Sequence, residues 1–165
     1  MLAANVCTAK FLEKAKVPAL YRVHEGPSEE RLSSVRDFLG ELGIGLGGGD
    51  DPQPEDYQRV LRSVKNRDDA SVIQSVLLRS MSQAVYQAEN LGHFGLAFEG
   101  YTHFTSPIRR YADLLVHRAI RSLIRSHKKV ANVVRVEGAT ELTKEQIYPY
   151  ELPRLDETGA HLSVT

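Results

Sequence analysis

Apolar residues recur at helical spacing along much of the first 125 residues, and this periodicity constrains the fold more than any other feature of the chain. The opening residues predict a helix with Leu2, Val6 and Ala9 on one side, where Cys7 is expected to be buried and inert. No N-cap residue precedes this helix. We therefore expect the chain to begin inside a larger fold. Ser163–Thr165 suit the cap of a following helix, so the C-terminus is expected either to be a second cut through that fold or to be a frayed natural end.

Four further helices follow from the same spacing, each marked by Pro, Ser or Asp at its start. Gly43 is placed to end the first of them, because glycine readily adopts the left-handed backbone of a helix C-terminus. The last helix is expected to run to about Arg125 with Ile108 on its apolar stripe. We expect the first four helices of the chain to form one apolar layer. The predicted starts are Pro27 with Ser28, Pro54, Asp68 or Asp69, and Pro107. The helix that starts at Asp68 or Asp69 is expected to carry apolar residues as far as Val85.

Two stretches lack helical spacing. His93–Phe104 is rich in Gly, His and aromatic residues and predicts a short strand or an extended loop. Further on, Val130–Val136 could form one strand, and the remainder to Thr165 predicts an extended, acidic surface segment. The sequence therefore predicts an α+β, mainly helical fold, with a helical core over 1–126 and an extended segment over 127–165.

The composition bounds the class of protein. At 165 residues with 42% hydrophobic residues, the chain is long enough for one globular domain with a core. Its single cysteine excludes an internal disulfide and argues against a cysteine-based zinc site. No apolar run approaches the roughly 18 residues of a membrane-spanning helix. We expect a soluble, cytoplasmic protein without a membrane partner.

Charge is unevenly distributed, although the formal net charge is zero. Between Tyr101 and Arg135 the chain carries eight Lys or Arg residues and one acid, Asp113. From Val136 to Thr165 it carries six acids and two basic residues. The basic stretch fits either a surface for nucleic acid or an ordinary solvated helix face.

The segment Tyr101–Arg118, YTHFTSPIRRYADLLVHR, carries the clearest chemical signal. Thr105 or Ser106 can cap the last predicted helix, and Arg109 and Arg110 fall in its first turn. Cations at that end oppose the helix dipole and cost up to about 1 kcal/mol each. A bound phosphate would reverse this cost, because hydroxyls, backbone N–H groups and two guanidinium groups would converge on it. The pattern therefore favours an anion site.

An alternative stays open, in which Arg109 or Arg110 pairs with Asp113 as an ordinary ion pair. Aromatic rings beside the motif could stack on unpaired bases, although each ring alone is more often part of a core. The histidines lack the spacing of metal ligands, so we do not assign them to a metal site. The candidate rings are Phe94, Tyr101, His103 and Phe104, and the histidines are His93, His103 and His117.

Four blocks of the sequence, in order, resemble the C-terminal half of the catalytic domain shared by ribonuclease II and ribonuclease R, closer to the latter. They are LAANVCTAKFL, LYRVHEGP, LLRSMSQAVY and GHFGLAFEGYTHFTSPIRRYADLLVHR. The resemblance implies a fragment of a mixed sheet wrapped by helices, with a deep channel for RNA. It also implies a processive 3′-to-5′ exoribonuclease that hydrolyses single-stranded RNA to mononucleotides.

The resemblance further implies roles for individual residues. Arg109, directly after Ser-Pro-Ile, matches the arginine that acts on the scissile phosphate, and is the candidate catalytic residue. Thr105, Ser106 and Arg110 match positions expected to line the channel. His24, His93 and His103 match positions to which no role is assigned, and His117 is likewise unassigned.

The magnesium ligands of the family form an aspartate cluster that the resemblance places outside this chain. The rest of the catalytic domain and its flanking nucleic-acid-binding barrels are the expected partners, together with single-stranded RNA. We therefore expect the whole protein to be an exoribonuclease and this chain alone to be inactive. Two alternatives remain: a non-catalytic RNA- or protein-binding fragment, or a scaffold in which the arginines are purely structural.

Overall fold

The computed structural model describes residues 1–125, 138 and 143–164, and the chain divides into two compact units. The first, which we call the motif unit, contains Met1–Val23, Val85–Gly92 and Phe98–Thr165. The second, the helical unit, contains His24–Ala84 and His93–Ala97. The prediction that the first four helices form one apolar layer is wrong, because the first helix lies in the motif unit and the next three in the helical unit.

The helical unit contains the three helices whose starts were predicted from Ser28, Pro54 and Asp69, which precede or begin them as expected. Gly43 has a φ of +69° just after the first of these helices, which confirms its role at the C-terminus. A 3-10 turn at Phe94–Leu96 stands where a strand or extended loop was predicted. The helices are α2 (Glu29–Glu41), α3 (Pro54–Ser63) and α4 (Ala70–Ser80). Their buried core consists of Val35, Leu39, Tyr57, Val60, Val64, Ile73 and Leu77.

The motif unit combines helices with a two-stranded sheet, so the predicted α+β, mainly helical class is confirmed. Its largest apolar cluster is assembled from residues far apart in sequence. The elements are α1 (Leu2–Lys14), β1 (Tyr21–Val23), β2 (Val85–Gln87), α5 (Tyr111–Arg125), α6 (Lys144–Ile147) and α7 (Leu152–Val164). The cluster contains Leu12, Ala19, Leu20, Ala88, Leu115, Val116, Ala119, Tyr148, Tyr150 and Leu155.

Strands β1 and β2 pair antiparallel with Arg22 opposite Tyr86, and neither was predicted. Val85, expected at the end of a helix, instead opens β2. A two-stranded ribbon is marginal by itself, and here both outer edges are bonded. The Arg22 N–H donates to the Tyr101 carbonyl at 2.8 Å on one side. On the other side, the Tyr86 N–H donates to the Ser163 hydroxyl of α7 at 2.8 Å.

The buried face of α1 differs from the predicted one. Asn5, Thr8, Ala9 and Leu12 face inward, whereas Leu2 and Cys7 are exposed. The prediction that Cys7 is buried is therefore wrong. The buried face differs from the predicted one because it includes the polar residue Asn5, which hydrogen-bonds Tyr101 and Phe104. Apolar periodicity does not reveal such a contact.

The C-terminal segment contains helix α7, so the prediction of an extended chain is wrong for Leu152–Val164. Gly159 allows α7 to approach β2, because a Cβ at this position would collide with the Tyr86 carbonyl oxygen. The strand predicted at Val130–Val136 lies outside the described residues. Across the described ranges, no helix has the length and apolarity that a membrane crossing requires.

Candidate functional site

The helix that was predicted to start at Pro107 begins later in the structure. α5 starts at Tyr111, and Pro107–Arg109 form a separate turn in front of it. The carbonyl of Ser106 closes this turn by accepting the backbone N–H groups of Arg109 at 3.3 Å and Arg110 at 3.1 Å. We call residues 106–110 the arginine turn. The prediction of a helix starting at Pro107 is wrong, and Ile108 points into solvent instead of lying on the apolar stripe.

Asp113 of α5 contacts the arginine turn from the interior of the motif unit, and its exposed fraction is 0%. Its Oδ1 accepts the Ser106 backbone N–H at 2.7 Å and an Arg110 Nη2–H at 2.8 Å. Its Oδ2 lies 2.8 Å from Arg110 Nε, an ion-pair distance, but no hydrogen bond joins these two atoms. The alternative of an ordinary ion pair thus describes Arg110. The Ser106 N–H and the Arg110 guanidinium, which were expected to bind phosphate, are thus bound by Asp113 instead.

Arg109 differs from its neighbour. Its side chain is exposed, and in the described part of the chain no carboxylate lies within ion-pair distance of it. An arginine fork without a carboxylate can grip two oxygens of one phosphate. The arginine turn therefore exposes the guanidinium of Arg109, while Asp113 fixes the backbone of the turn at Ser106.

Two more buried or half-buried side chains hold the segment that leads into the arginine turn. Asn5 of α1 donates from Nδ2 to the Tyr101 hydroxyl at 2.9 Å, and its Oδ1 accepts the Phe104 N–H at 3.2 Å. His117 of α5 places Nε2 2.9 Å from the Phe104 carbonyl oxygen and stacks on the Phe104 ring at 4.4 Å. The segment is thus fixed from two helices, and neither contact follows from the sequence pattern.

The candidate rings have different surroundings. Tyr101 is only 6% exposed, and its ring packs beside Phe98 and His103 in the motif unit. It therefore has a structural role and offers no open face to a base. His103 is half-buried, with Nδ1 2.6 Å from the Tyr86 hydroxyl. Burial raises the pKa of Tyr86, so this hydroxyl stays protonated and able to donate.

The polar groups of Thr105 and Ser106 have different hydrogen-bonding surroundings. Ser106 is half-buried, and its backbone N–H and carbonyl are both engaged within the arginine turn. The Thr105 Oγ1 is buried and finds no hydrogen-bond partner among the described residues. A buried hydroxyl without a partner costs roughly 1–3 kcal/mol. The Thr105 hydroxyl is thus buried with its bonding capacity unused among the described residues.

Two histidines outside the motif, His24 and His93, lie together in the helical unit. His24 and His93 stack with ring centroids 5.0 Å apart, and His24 Nδ1 accepts the Gly95 N–H at 2.9 Å. Among the described residues, no three His, Cys, Asp or Glu side chains come together as metal ligands would. The described residues do not fit a magnesium centre, and we derive no chemical step through one.

The model of the RNB domain matches residues 1–126. The chain belongs to the RNB domain family. The match covers α1 to α5 and therefore includes Asn5, the arginine turn and Asp113. It confirms the resemblance to the ribonuclease II and ribonuclease R family that the motif blocks indicate.

Curated relatives of this RNB domain chain are named ribonuclease R. The protein of Vibrio cholerae is 60% identical over 167 residues, which cover 100% of this chain and 19% of that protein. The protein of Escherichia coli K12 is 48% identical over 164 residues, which cover 99% of this chain and 19% of that protein. The chain thus spans about a fifth of the length of these relatives.

Solved structures share the fold of this RNB domain chain. Ribonuclease R of Mycoplasma genitalium, in complex with ribose-methylated single-stranded RNA, matches with a TM-score of 0.78 and 30% identity. The match covers 99% of this chain and 24% of that one. Yeast Ssd1, described as a pseudonuclease, matches with a TM-score of 0.72 at 23% identity, which shows the fold alone.

Proposed function

We propose that this chain forms part of the RNA site of a processive 3′-to-5′ hydrolytic exoribonuclease that degrades single-stranded RNA to mononucleotides. The observation that carries the proposal is the contrast between the two adjacent arginines. Arg110 is bound to the buried Asp113, whereas Arg109 is exposed on the fixed turn. Ribonuclease R names among the relatives, and an RNA complex among the similar structures, support RNA as the partner.

In this proposal Arg109 is the catalytic residue that contacts the phosphate of the scissile bond. Its planar guanidinium stabilises the negative charge that builds on the phosphate oxygens during hydrolysis. Thr105 supplies a hydroxyl beside the same phosphate, and His103 and Phe104 contact the RNA next to it. Ser106 and Arg110 contribute by holding the turn. Magnesium ligands come from outside this chain, so the chain alone is inactive and acts with the rest of the catalytic domain in the cytoplasm.

The test uses a chimaera in which this chain replaces the matching segment of Vibrio cholerae ribonuclease R. Arg109→Lys keeps the charge but loses the fork, so single-turnover cleavage of single-stranded RNA should fall on the order of 100-fold or more. RNA affinity without magnesium should change little, because the contact strengthens in the transition state. Arg62→Lys on α3 is the matched control. Equal losses of affinity and rate would make Arg109 an ordinary binding contact and would contradict the catalytic role.

A second candidate is a non-catalytic RNA-binding fragment. The match to a pseudonuclease of the same fold favours it, because the fold alone does not require catalysis. The two candidates separate on the chimaera with native sequence: magnesium-dependent release of mononucleotides supports the nuclease. RNA binding without any release, while the parent ribonuclease R remains active in the same assay, supports the binding fragment.

A further inference from the structure

We infer that Asp113 is a positioning residue that sets the direction of the Arg109 side chain. The inference rests on the proposed function of Arg109 and adds a residue that acts through it. Asp113 is fully buried, and a buried carboxylate is tolerated only where it is paired and hydrogen-bonded. Its contacts are therefore obligatory features of the folded motif unit and not incidental surface pairs.

The contacts connect Asp113 to Arg109 through the backbone in two steps. The carboxylate accepts the Ser106 N–H at 2.7 Å, which fixes the peptide at the start of the arginine turn. The carbonyl of the same Ser106 residue then accepts the Arg109 N–H at 3.3 Å. Any rotation of the Ser106 backbone would thus alter the path of the chain at Arg109.

Asp113 also determines which of the two arginines is available. The Arg110 side chain is only 22% exposed, donates from Nη2 to Asp113 Oδ1 at 2.8 Å, and places Nε at ion-pair distance from Oδ2. This engagement prevents Arg110 from competing with Arg109 for the same anion. One buried acid thus fixes the turn and separates the roles of two adjacent cations.

The competing explanation is that Asp113 only stabilises the fold as an ion pair of α5. That explanation accounts for Arg110 but not for the Ser106 N–H, which an ion pair does not require. The two explanations differ in one measurable respect. A positioning residue acts through Arg109, so its effect on catalysis disappears when the Arg109 side chain is removed, whereas a purely structural effect persists.

The experiment is a double-mutant cycle in the chimaera, with Asp113→Asn, Arg109→Ala and the double variant. Asparagine keeps the shape but loses the charge that holds Arg110. We expect Asp113→Asn to lower single-turnover cleavage roughly 10- to 100-fold, the size expected for a misplaced catalytic group. RNA affinity without magnesium should change by no more than about twofold if catalytic geometry alone is lost. In the Arg109→Ala background, Asp113→Asn should have no further effect on cleavage.

Asp56 of α3 offers a matched control in the helical unit. It is also a buried acid, its Oδ2 accepts the Gln53 N–H at 2.8 Å, and its Oδ1 pairs with Arg59 at 3.1 Å. Asp56→Asn should therefore weaken thermal stability to a similar extent without slowing cleavage. A loss of cleavage in Asp56→Asn that matches Asp113→Asn would assign the effect to stability and overturn the inference.

The outcomes separate the two proposals. If Arg109→Ala itself leaves cleavage unchanged, the proposed function of Arg109 fails. If Arg109→Ala slows cleavage but Asp113→Asn reduces it by the same factor in both backgrounds, only the positioning inference is overturned. Should Asp113→Asn not fold, as judged by circular dichroism, Arg110→Lys enters the same cycle. It should slow cleavage severalfold with Arg109 present and not at all without it, and persistence in both backgrounds would again overturn the inference.

Discussion

Asn5 and Phe104 are joined by a hydrogen bond of 3.2 Å from the Phe104 backbone N–H to the Asn5 side-chain oxygen, although 99 residues separate them. The amide nitrogen of the same side chain donates to the Tyr101 hydroxyl at 2.9 Å. The two contacts use both ends of one buried amide, so neither a carboxylate nor an apolar side chain can replace it. Helix α1 thereby holds the segment that leads into the arginine turn.

Asn5→Ala should lower the free energy of unfolding by about 1–3 kcal/mol, because it leaves the buried Tyr101 hydroxyl and the partly buried Phe104 N–H without their partner. Urea unfolding of the 165-residue chain, followed by circular dichroism, gives this difference. Asn66→Ala is the control, since Asn66 is exposed and its substitution should stay within about 0.5 kcal/mol. Equal effects of the two variants would mean that the Asn5 amide is not a structural link.

Alkaline pH should destabilise the chain through Tyr21. Burial, with a smaller contribution from Glu13, raises the pKa of Tyr21 to about 12. Because the folded pKa lies above the unfolded value, the stabilisation is complete below the unfolded pKa of about 10 and is lost as pH rises toward the folded one. Urea midpoints between pH 9 and 12 should therefore fall less steeply for Tyr21→Phe than for the native chain. Burial also raises the pKa of Tyr148, so a part of the slope should remain. Identical slopes would contradict this assignment.

Two glycines in helices should respond to alanine in opposite directions. At Gly159 in α7, a Cβ would meet the Tyr86 carbonyl oxygen, so Gly159→Ala should destabilise the chain by about 1–3 kcal/mol. At Gly40 in α2 nothing lies within 4 Å of the added Cβ, and Gly40→Ala should stabilise by up to about 1 kcal/mol. Thermal midpoints measure both. A neutral Gly159→Ala would show that α7 does not approach β2 closely.

Salt should weaken RNA binding steeply if the basic residues of the motif unit meet phosphates. Affinity for single-stranded RNA should fall linearly in log–log form between about 50 and 200 mM salt, and Arg109→Ala should reduce the slope by about 0.7. Arg62→Ala on α3 serves as the control and should leave the slope unchanged. A flat salt response of the native chain would indicate that these charges are structural.

Local sequence signals predicted the helical unit well, because its helices are marked by Ser28, Pro54 and Gly43 and have apolar residues at regular spacing. The same signals failed for β1 and β2. Each strand has three residues, too few for an alternating pattern to stand out, and each depends on partners distant in sequence. Val85 was assigned to a helix for this reason.

The candidate site divides in the same way. The motif predicted Arg109 as a site residue. It also predicted the possible pair of Arg110 with Asp113, because residues three apart on a helix are neighbours. It could not show that Asn5 and His117 hold the backbone of Phe104, because tertiary hydrogen bonds to the main chain leave no periodic trace. The helix was predicted to start too early because Ser-Pro is common at helix N-termini. In the structure Asp113 accepts the Ser106 N–H, and Pro107–Arg109 form a separate turn before α5.

The contacts between α7 and β2 bear on how the chain behaves in concentrated solution. Ser163 and Asp156 accept the N–H groups of Tyr86 and Ala88, which would otherwise form an open strand edge. Open edges recruit strands from other molecules and start aggregation. Helix α7 thus protects this strand edge, and loosening it would turn the two-stranded sheet into a site for intermolecular β-pairing.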